Sequence, residues 1–214
     1  MSDSRLLLIA AGAAGYLLGS IPFAVIVARR HGVDVMRAGS CNPGATNVKR
    51  LCGKFAGNLV FVLDALKGFC AAAWPAWTAL VSALGFAHVT DAGVVSAQVA
   101  GFTGAVLGHC FSVFLRFKGG KGVAVSAGAL LGAMPVCLLV SGGIWLVLFF
   151  MKRIVSIASL LAAIAFPVTA YFYYGGAGDP RFWLGVAVAL FLVFTHRSNI
   201  ARLRRGEENR FKKP

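Results

Sequence analysis

A polar segment near the N-terminus combines residue types that bind anions. Residues 39–50 read Gly-Ser-Cys-Asn-Pro-Gly-Ala-Thr-Asn-Val-Lys-Arg. Glycines let the backbone approach an anion closely, and successive N–H groups can form an anion-binding nest. Arg50 can hold a phosphate through two parallel hydrogen bonds. Four further side chains carry hydroxyl or amide donors: Ser40, Asn42, Thr46 and Asn47. Any one of them would be ordinary in a turn, but the packed set beside a basic residue predicts a phosphate site.

A second glycine-rich segment, residues 117–122, reads Phe-Lys-Gly-Gly-Lys-Gly. It places Lys118 and Lys121 among three glycines just before an apolar stretch. This pattern resembles an anion cradle at the N-terminus of a helix, although the spacing of a Walker A loop is absent. The alternative is a basic turn whose lysines reach toward the membrane surface. The glycines favour the anion site.

Several ionisable residues lie within or at the ends of apolar stretches. Asp64 and Lys67 are three residues apart on one predicted helix, so they share a face and can pair. Each would cost about 2.5–3.5 kcal/mol at the bilayer centre, so both are expected to face the protein interior. A structural pair is favoured over a catalytic Asp64. His109 and His196 can each bind phosphate or move protons, or be ordinary interfacial residues.

The composition indicates a membrane protein. Of 214 residues, 58% are hydrophobic and 13% are charged, whereas soluble domains average about 25% charged residues. The chain is therefore predicted to be an all-α polytopic membrane protein, with residues 1–214 forming a single domain. The net charge of +14 agrees with the enrichment of Lys and Arg in cytoplasmic loops. Nucleic acid is therefore not expected as a partner. The basic tail is predicted to be helical up to Gly206, with Arg204 and Arg205 meeting anionic lipid headgroups.

The number of spans depends on one long apolar stretch. Six such stretches are predicted: 6–28, 55–86, 94–115, 122–150, 154–174 and 182–195. If 122–150 crosses once, Lys152 and Arg153 lie opposite the first basic segment. If it turns near Pro135 and crosses twice, every basic cluster lies on one side. The positive-inside tendency favours about seven transmembrane helices, with the N-terminus outside and the C-terminus cytoplasmic. The half nearer Gly122 is short and can instead be a buried re-entrant helix.

The sequence carries none of the common signals for a metal centre or an activated nucleophile. It has four histidines and seven carboxylates, with neither an HEXXH zinc pattern nor a GxSxG elbow. The five cysteines show no CxxC spacing, and no disulfide is expected. Neither a metal nor a cofactor is therefore predicted. Phosphate-binding groups without an obvious nucleophile suit a reaction between substrates that are already activated.

In this order, the motifs resemble a known family, the acyl-phosphate-dependent glycerol-3-phosphate acyltransferases of bacteria (PlsY type). The likeness covers essentially the whole chain, and the combination is specific although each piece alone is not. It is carried by 19–22, 39–50, 63–64, 67–68, 108–109, 117–122, 196–200, Gly206, Glu208 and Asn209.

The resemblance implies a seven-helix enzyme of the bacterial inner membrane whose active site faces the cytoplasm. It would transfer a fatty acyl group from acyl phosphate to the 1-hydroxyl of glycerol 3-phosphate, giving 1-acylglycerol 3-phosphate (lysophosphatidate), the first step of phospholipid synthesis. Expected partners are the two substrates, membrane lipids and a soluble enzyme that makes acyl phosphate.

The resemblance and the residue types together identify candidate site residues. Those expected to be catalytic are Ser40, Arg50, Lys121 and His196. Those expected to bind substrate, mainly through its phosphate, are Asn42, Thr46, Asn47, Lys67, His109, Lys118, Asn199 and Glu208. The hydroxyl proton can go to a phosphate oxygen of the substrate or to His196, and the sequence does not choose between these acceptors.

Three positions depart from the family's usual pattern. Cys41 replaces the second glycine of a Gly-Ser-Gly-Asn loop, Ala24 replaces a glycine of the first span, and Ser112 replaces a proline. The replacement at Cys41 bears most on the loop, because a side chain at a positive-φ position is strained.

Two other functions fit parts of the pattern. A transporter or flippase for phosphate-bearing molecules would suit broken helices and intramembrane charges, but it predicts an inverted repeat that the sequence does not show. A membrane scaffold would need only a basic surface, and not a loop dense in Asn and Thr.

Overall fold

The computed structural model describes residues 3–77 and 90–211, and within these ranges the protein is built from helices without strands. The helices are α1 (Asp3–Ser20), α2 (Phe23–Arg30), α3 (Ala45–Cys52), α4 (Lys54–Ala73), α5 (Asp91–Cys110), α6 (Val123–Ala133), α7 (Pro135–Lys152), α8 (Val155–Tyr174), α9 (Pro180–Thr195) and α10 (Arg197–Arg204). Short 3₁₀ turns lie at Val113–Leu115 and Gly176–Gly178. The predicted all-α class is confirmed.

Five helical segments in the described ranges are long and apolar enough to cross a membrane, and a bent pair raises the number to six. The five are Ser4–Arg30, Lys54–Trp77, Asp91–Leu115, Pro135–Lys152 and Val155–Tyr174. The bent pair joins α9 and α10 at an angle of 58°. The protein is therefore a multi-pass membrane protein. Seven spans and the orientation of the termini remain predictions, and the end of the predicted stretch 55–86 lies outside the described residues.

The first predicted span, 6–28, is not one continuous helix. Helix α1 ends at Ser20, and α2 begins at Phe23. Between them stands Pro22, which has no N–H to donate and whose ring clashes with the preceding turn of a helix. The break releases main-chain carbonyl groups inside an apolar span, where they need new donors.

The long apolar stretch 122–150 is broken at Met134, next to Pro135. A helix break near Pro135 is therefore present, and the reversal of the chain at this point remains a prediction. The preceding helix, α6, has 11 residues and is about 16 Å long at 1.5 Å per residue. A hydrocarbon core is about 30 Å thick. By itself α6 is thus too short to cross, as the sequence indicated for this half.

The chain divides into two compact units, residues 1–133 and 134–214. In the first unit, glycines let helix backbones touch. A Cβ at Gly19 of α1 would lie 2.2 Å from the Ala105 carbonyl oxygen of α5, and one at Gly68 of α4 would lie 2.0 Å from that of Val125 in α6. Such small-residue contacts are typical of close helix packing in membranes. They draw α4, α5 and α6 together around buried polar groups.

In the second unit, α8 packs against both α7 and α9. Gly185 of α9 allows this approach, since a Cβ there would lie 2.8 Å from the Pro167 Cα of α8. Between α7 and α8, Trp145 Nε1 donates to Ser159 Oγ over 3.0 Å. The helices of this unit are therefore held by close packing together with this hydrogen bond.

Candidate active site

The loop before α3 is shaped by Asn47. Its Oδ1 accepts a hydrogen bond from the Ser40 amide at 3.0 Å. Its Nδ2 donates to the carbonyls of Val35 at 3.3 Å and Ala38 at 3.0 Å. Because an amide nitrogen carries two hydrogens, both donors of Asn47 are committed to the backbone. Sequence reasoning placed Asn47 among the phosphate ligands, whereas these contacts make it the residue that holds Ser40 and the loop in place.

Two residues of this loop have positive φ. Gly39 has φ +63° and Cys41 has φ +53°. A Cβ at Gly39 would lie 2.3 Å from Asn47 Oδ1, so only glycine fits there. Cys41 has a side chain at a left-handed position, which costs of order 1–3 kcal/mol. The strain anticipated at Cys41 is therefore present, and the loop keeps the left-handed turn despite it.

Three of the remaining candidates of this segment lie at or just before the start of α3, and the fourth, Arg50, lies in its last turn. Ser40, Asn42 and Thr46 are half-buried, and Arg50 is exposed. Thr46 and Arg50 are four residues apart, so they lie on one face of α3. Gly44 is the N-cap residue and has extended backbone. The segment thus presents hydroxyl and amide groups at the start of α3 and a guanidinium group one turn further along the same helix.

A buried ionic cluster lies beneath this loop on α4 and α5. Lys67 Nζ is 2.8 Å from Asp64 Oδ1, and His109 Nδ1 is 3.6 Å from the same oxygen. Asp64 is 1% exposed, Lys67 5% and His109 8%. The predicted pairing of Asp64 with Lys67, and their orientation toward the protein interior, are confirmed. The roles of Lys67 and His109 in phosphate binding remain predictions.

The break in the first span is bound by one residue of α4 and one residue of the loop that follows α5. Lys67 Nζ donates to the Ile21 carbonyl at 2.8 Å, and Ser112 Oγ donates to the Ser20 carbonyl at 2.6 Å. Carbonyls released at the break therefore receive hydrogen bonds inside the protein. The contact made by Ser112 joins residues 92 positions apart, and no local signal in the sequence could have indicated it.

The glycines of the lysine segment have a packing role. The Gly120 amide donates to the His109 carbonyl at 3.0 Å. A Cβ at Gly119 would lie 2.1 Å from that carbonyl oxygen, and one at Gly120 would lie 2.2 Å from His109 Nε2. The segment therefore lies flat against the end of α5. Lys118 is exposed and Lys121 is half-buried, so close packing of the glycines determines where both lysines emerge.

Both candidate anion segments line one small pocket of the first unit. Its walls include the break in the first span, Pro43 from the first segment and Gly120 from the second. Asp64, Lys67, His109 and Ser112 also line it. Ser20 Oγ, another lining group, is buried and has no hydrogen-bond partner among the described residues. Segments 39–50 and 117–122 are therefore neighbours in space, as a shared site for an anion requires.

In the second unit, Glu208 organises a polar cluster. Its carboxylate accepts hydrogen bonds from Asn199 Nδ2 at 2.5 Å, Ser156 Oγ at 3.0 Å and Arg202 Nε at 2.7 Å. Burial alone would raise the pKa of the Glu208 carboxyl, but these three donors outweigh it and hold the pKa below its usual value. Glu208 is therefore ionised near neutral pH. Sequence reasoning identified Asn199 and Glu208 but missed Ser156, because a serine in an apolar helix carries no signal.

A glycine turn brings Glu208 back toward α10. Gly206 has φ +73°, and the Glu207 amide donates to the Arg202 carbonyl at 2.9 Å. This reversal is a helix end of the Schellman kind, in which glycine takes the left-handed position. The predicted end of the helix at Gly206 is confirmed.

His196 stands at the junction of α9 and α10 and is buried, with 3% exposure. Its Nδ1 lies 2.9 Å from the Leu192 carbonyl oxygen. A carbonyl can only accept, so Nδ1 carries the hydrogen and Nε2 is the basic nitrogen of the neutral ring. The contact also fixes the direction of the ring. His196 is thus oriented for proton transfer or for a hydrogen bond through Nε2.

Comparison with known proteins agrees with this arrangement. The family model described as glycerol-3-phosphate acyltransferase matches residues 9–206. A glycerol-3-phosphate acyltransferase of Burkholderia pseudomallei (strain K96243) is 42% identical over 198 residues, covering 92% of each chain. One of Aquifex aeolicus (strain VF5) is 41% identical over 200 residues, covering 92% of this chain and 95% of that one.

A solved structure supports the same conclusion at the level of the fold. The crystal structure of PlsY (YgiH), an integral membrane glycerol 3-phosphate acyltransferase in its glycerol 3-phosphate form, superposes with a TM-score of 0.80 at 38% identity. The match covers 99% of this chain and 96% of that chain. Its lysphosphatidic acid form superposes with a TM-score of 0.75. The chain belongs to the glycerol-3-phosphate acyltransferase family.

Proposed function

We propose that this protein transfers a fatty acyl group from acyl phosphate to the 1-hydroxyl of glycerol 3-phosphate. The observation that carries the proposal is the pocket of the first unit, because segments 39–50 and 117–122 both contribute to its lining. Both substrates present phosphate, which is the group these residue types bind best. The names of the relatives agree with glycerol 3-phosphate as acceptor.

The proposed reaction needs little covalent help from the protein. Acyl phosphate is a mixed anhydride, so phosphate is already a good leaving group. The hydroxyl oxygen of glycerol 3-phosphate attacks the acyl carbon, the bond from that carbon to the phosphate oxygen breaks, and an ester and inorganic phosphate result. Holding the two reactants in line lowers the barrier by positioning. Fixed donors stabilise the negative charge that develops on the acyl and phosphate oxygens.

We assign the binding of the substrate phosphates to three cations of the first unit. Arg50, Lys118 and Lys121 would neutralise the two phosphates. Donors at the start of α3 complete the cradle: Ser40, Asn42 and Thr46. Asn47 contributes by fixing the Ser40 amide. Lys67 and His109 line the pocket, and we propose that their N–H groups donate hydrogen bonds to phosphate.

The residues of the second unit are assigned to glycerol 3-phosphate on the strength of the family resemblance. His196 and Asn199 would bind it, and Glu208 supports Asn199 through their hydrogen bond. The hydroxyl proton goes either to a phosphate oxygen of the substrate or to His196 Nε2. Activity is proposed to require both units, as one domain spanning 1–214, since the family match extends over 9–206.

We further propose that the chain crosses the bacterial inner membrane seven times, with its N-terminus outside and its active site on the cytoplasmic side. The basic clusters then lie together in the cytoplasm. Acyl phosphate would arrive from a soluble enzyme that makes it, and glycerol 3-phosphate from the cytoplasm. Labelling of single cysteines placed at 37 and 205 tests this topology, since both should react only from the cytoplasmic face.

The direct test is an assay on purified protein in lipid nanodiscs. Acyl phosphate and labelled glycerol 3-phosphate should give labelled lysophosphatidate, without acyl-CoA or acyl carrier protein. Lys152→Ala serves as the matched control for cation substitutions, because Lys152 is an exposed cation outside the assigned set. Uptake of labelled glycerol 3-phosphate into proteoliposomes with no lipid product would instead indicate a transporter. Product formed only from acyl-CoA would reject the proposed donor.

A further inference from the structure

Ser112 occupies a position between two parts of the proposed site. It lies two residues after the end of α5 and directly before the 3₁₀ turn Val113–Leu115. It is 1% exposed and lines the same pocket as Lys67 and His109. A buried hydroxyl is costly unless it forms a hydrogen bond, so the partner of Ser112 indicates its role.

The side chain of Ser112 binds the broken first span. Its Oγ donates to the Ser20 carbonyl at 2.6 Å, and the contact is buried. The break at Pro22 interrupts the main-chain hydrogen bonds of the helix. A buried carbonyl left without a donor there would lower the stability of the protein. The hydroxyl therefore fastens the end of α5 to the end of α1.

The main chain of Ser112 holds the turn that leads to the lysines. Its carbonyl accepts from the Leu115 amide at 3.1 Å and from the Phe117 amide at 2.8 Å. Within this turn, Arg116 has φ +52° and Phe117 has φ +61°. Two successive left-handed residues with side chains persist only where surrounding contacts impose them. Ser112 supplies two of those contacts.

We propose that Ser112 is a positioning residue for the lysine segment. One end of the residue binds the Ser20 carbonyl, and the other binds the turn from which Lys118 and Lys121 emerge. Without the hydroxyl, the turn loses its link to the first span, and Lys118 and Lys121 lose the fixed turn that leads to them. The catalytic consequence of this role rests on the proposed function. The hydrogen bonds that link Ser112 to the first span and to the turn do not depend on that function.

The test compares Ser112→Ala with Ser112→Thr and Ser96→Ala. Thr retains the hydroxyl. Ser96 is the matched control, because its Oγ also donates to a main-chain carbonyl, that of Ala92 at 2.8 Å, but within α5 itself. Hydrogen–deuterium exchange of residues 113–121 and steady-state kinetics with both substrates are measured for each variant in nanodiscs.

In Ser112→Ala, the Leu115 and Phe117 amides should exchange about 2- to 10-fold faster, the range expected for one lost hydrogen bond. The kcat/KM for glycerol 3-phosphate should fall by a similar factor, mainly through KM, because the lysines bind phosphate. Ser112→Thr should restore both values, and Ser96→Ala should leave both unchanged. If Ser112→Ala is not recovered from membranes, Ser112→Cys replaces it, with a weaker donor and a smaller effect.

Unchanged exchange in Ser112→Ala would overturn the structural link. Faster exchange with unchanged kcat/KM would overturn the positioning role, since the turn would be loosened without consequence for the substrates. A wild-type protein that forms no lysophosphatidate would contradict the proposed function, and the exchange data would still decide whether Ser112 holds the turn.

Discussion

Lys67 Nζ lies 2.8 Å from the main-chain carbonyl oxygen of Ile21, at the break in the first span. The same ammonium group is 2.8 Å from Asp64 Oδ1. One buried lysine thus binds a carbonyl of the interrupted helix and a carboxylate of its own helix. A buried charge is tolerated only where it is paired and hydrogen-bonded, and these two contacts meet that requirement.

Replacing Lys67 by Met should destabilise the protein by about 3–5 kcal/mol, because Asp64 would remain buried without its cation. The double variant Asp64→Asn/Lys67→Met should lose less, since no charge is left unpaired. Thermal unfolding in detergent measures both, with the exposed Lys54 at the start of α4 substituted by Met as the control. Equal stability of Lys67→Met and wild type would show that the pair does not stabilise the fold.

Arg50→Ala and Lys121→Ala should each lower acyl transfer by about a hundredfold or more, the usual cost of removing one fixed donor to developing charge. Both proteins should insert and unfold as the wild type does. Arg50→Lys should recover only part of the activity, because an ammonium cannot bind phosphate in a bidentate manner. Initial rates of lysophosphatidate formation provide the measurement. Full activity in both alanine variants would reject their assignment to phosphate.

Cys41→Gly should stabilise the protein by about 1 kcal/mol, because glycine accepts the left-handed conformation that strains a residue with Cβ. Cys41→Ser, which keeps a side chain at φ +53°, should show no such gain. Unfolding temperatures of the three proteins under reducing conditions give the comparison. A stabilised serine variant would indicate that the thiol, and not the backbone, limits stability.

His196→Ala should lower kcat by about a hundredfold or more, the range for a general base. Because Nδ1 donates to the Leu192 carbonyl, Nε2 is the basic nitrogen of the ring, and the alanine variant lacks this nitrogen. The pH–rate profile of wild type and of His196→Gln shows whether the fall in rate at low pH, where a general base becomes protonated, belongs to this residue. A loss below about threefold in kcat would exclude a side-chain base there, and a phosphate oxygen of the substrate would then accept the proton.

The stability contributed by Glu208 should depend on pH. Its folded pKa lies below the ordinary value of 4.5, so the unfolded chain takes up a proton before the folded one does. The contribution is therefore complete above about pH 4.5 and is lost as the pH falls through the lower folded pKa. Wild type should exceed Glu208→Gln in unfolding temperature at pH 7, and this difference should narrow as the pH falls below about 4.5. A gap independent of pH would contradict the ionised cluster.

Features that depend on neighbours along the chain were predictable. The pairing of Asp64 with Lys67 follows from their spacing on one helix, and the helix end at Gly206 follows from glycine's freedom at positive φ. The break at Met134 follows from Pro135. In each case the cause lies within about one helical turn, where residue type and spacing largely decide the geometry.

Contacts between distant segments were not predictable in the same way. Asn47 looked like a ligand for phosphate, and only the fold shows that its amide is committed to the carbonyls of Val35 and Ala38. Ser156 carries no signal in the sequence, and only the fold places its hydroxyl against the Glu208 carboxylate. A polar side chain can bind many partners equally well, and its residue type does not select among them.

By itself the sequence determined that this is an all-helical membrane protein whose phosphate-binding residue types are concentrated in two short segments. Hydrophobicity, charge and local spacing are properties of the chain before it folds. Only the tertiary structure decided that Pro43 and Gly120 line one pocket, and that Ser112 and Lys67 bind the two carbonyls at the break. The physical reason is that buried polar groups must find donors wherever close helix packing places them. That packing depends on glycine contacts between helices far apart in the chain.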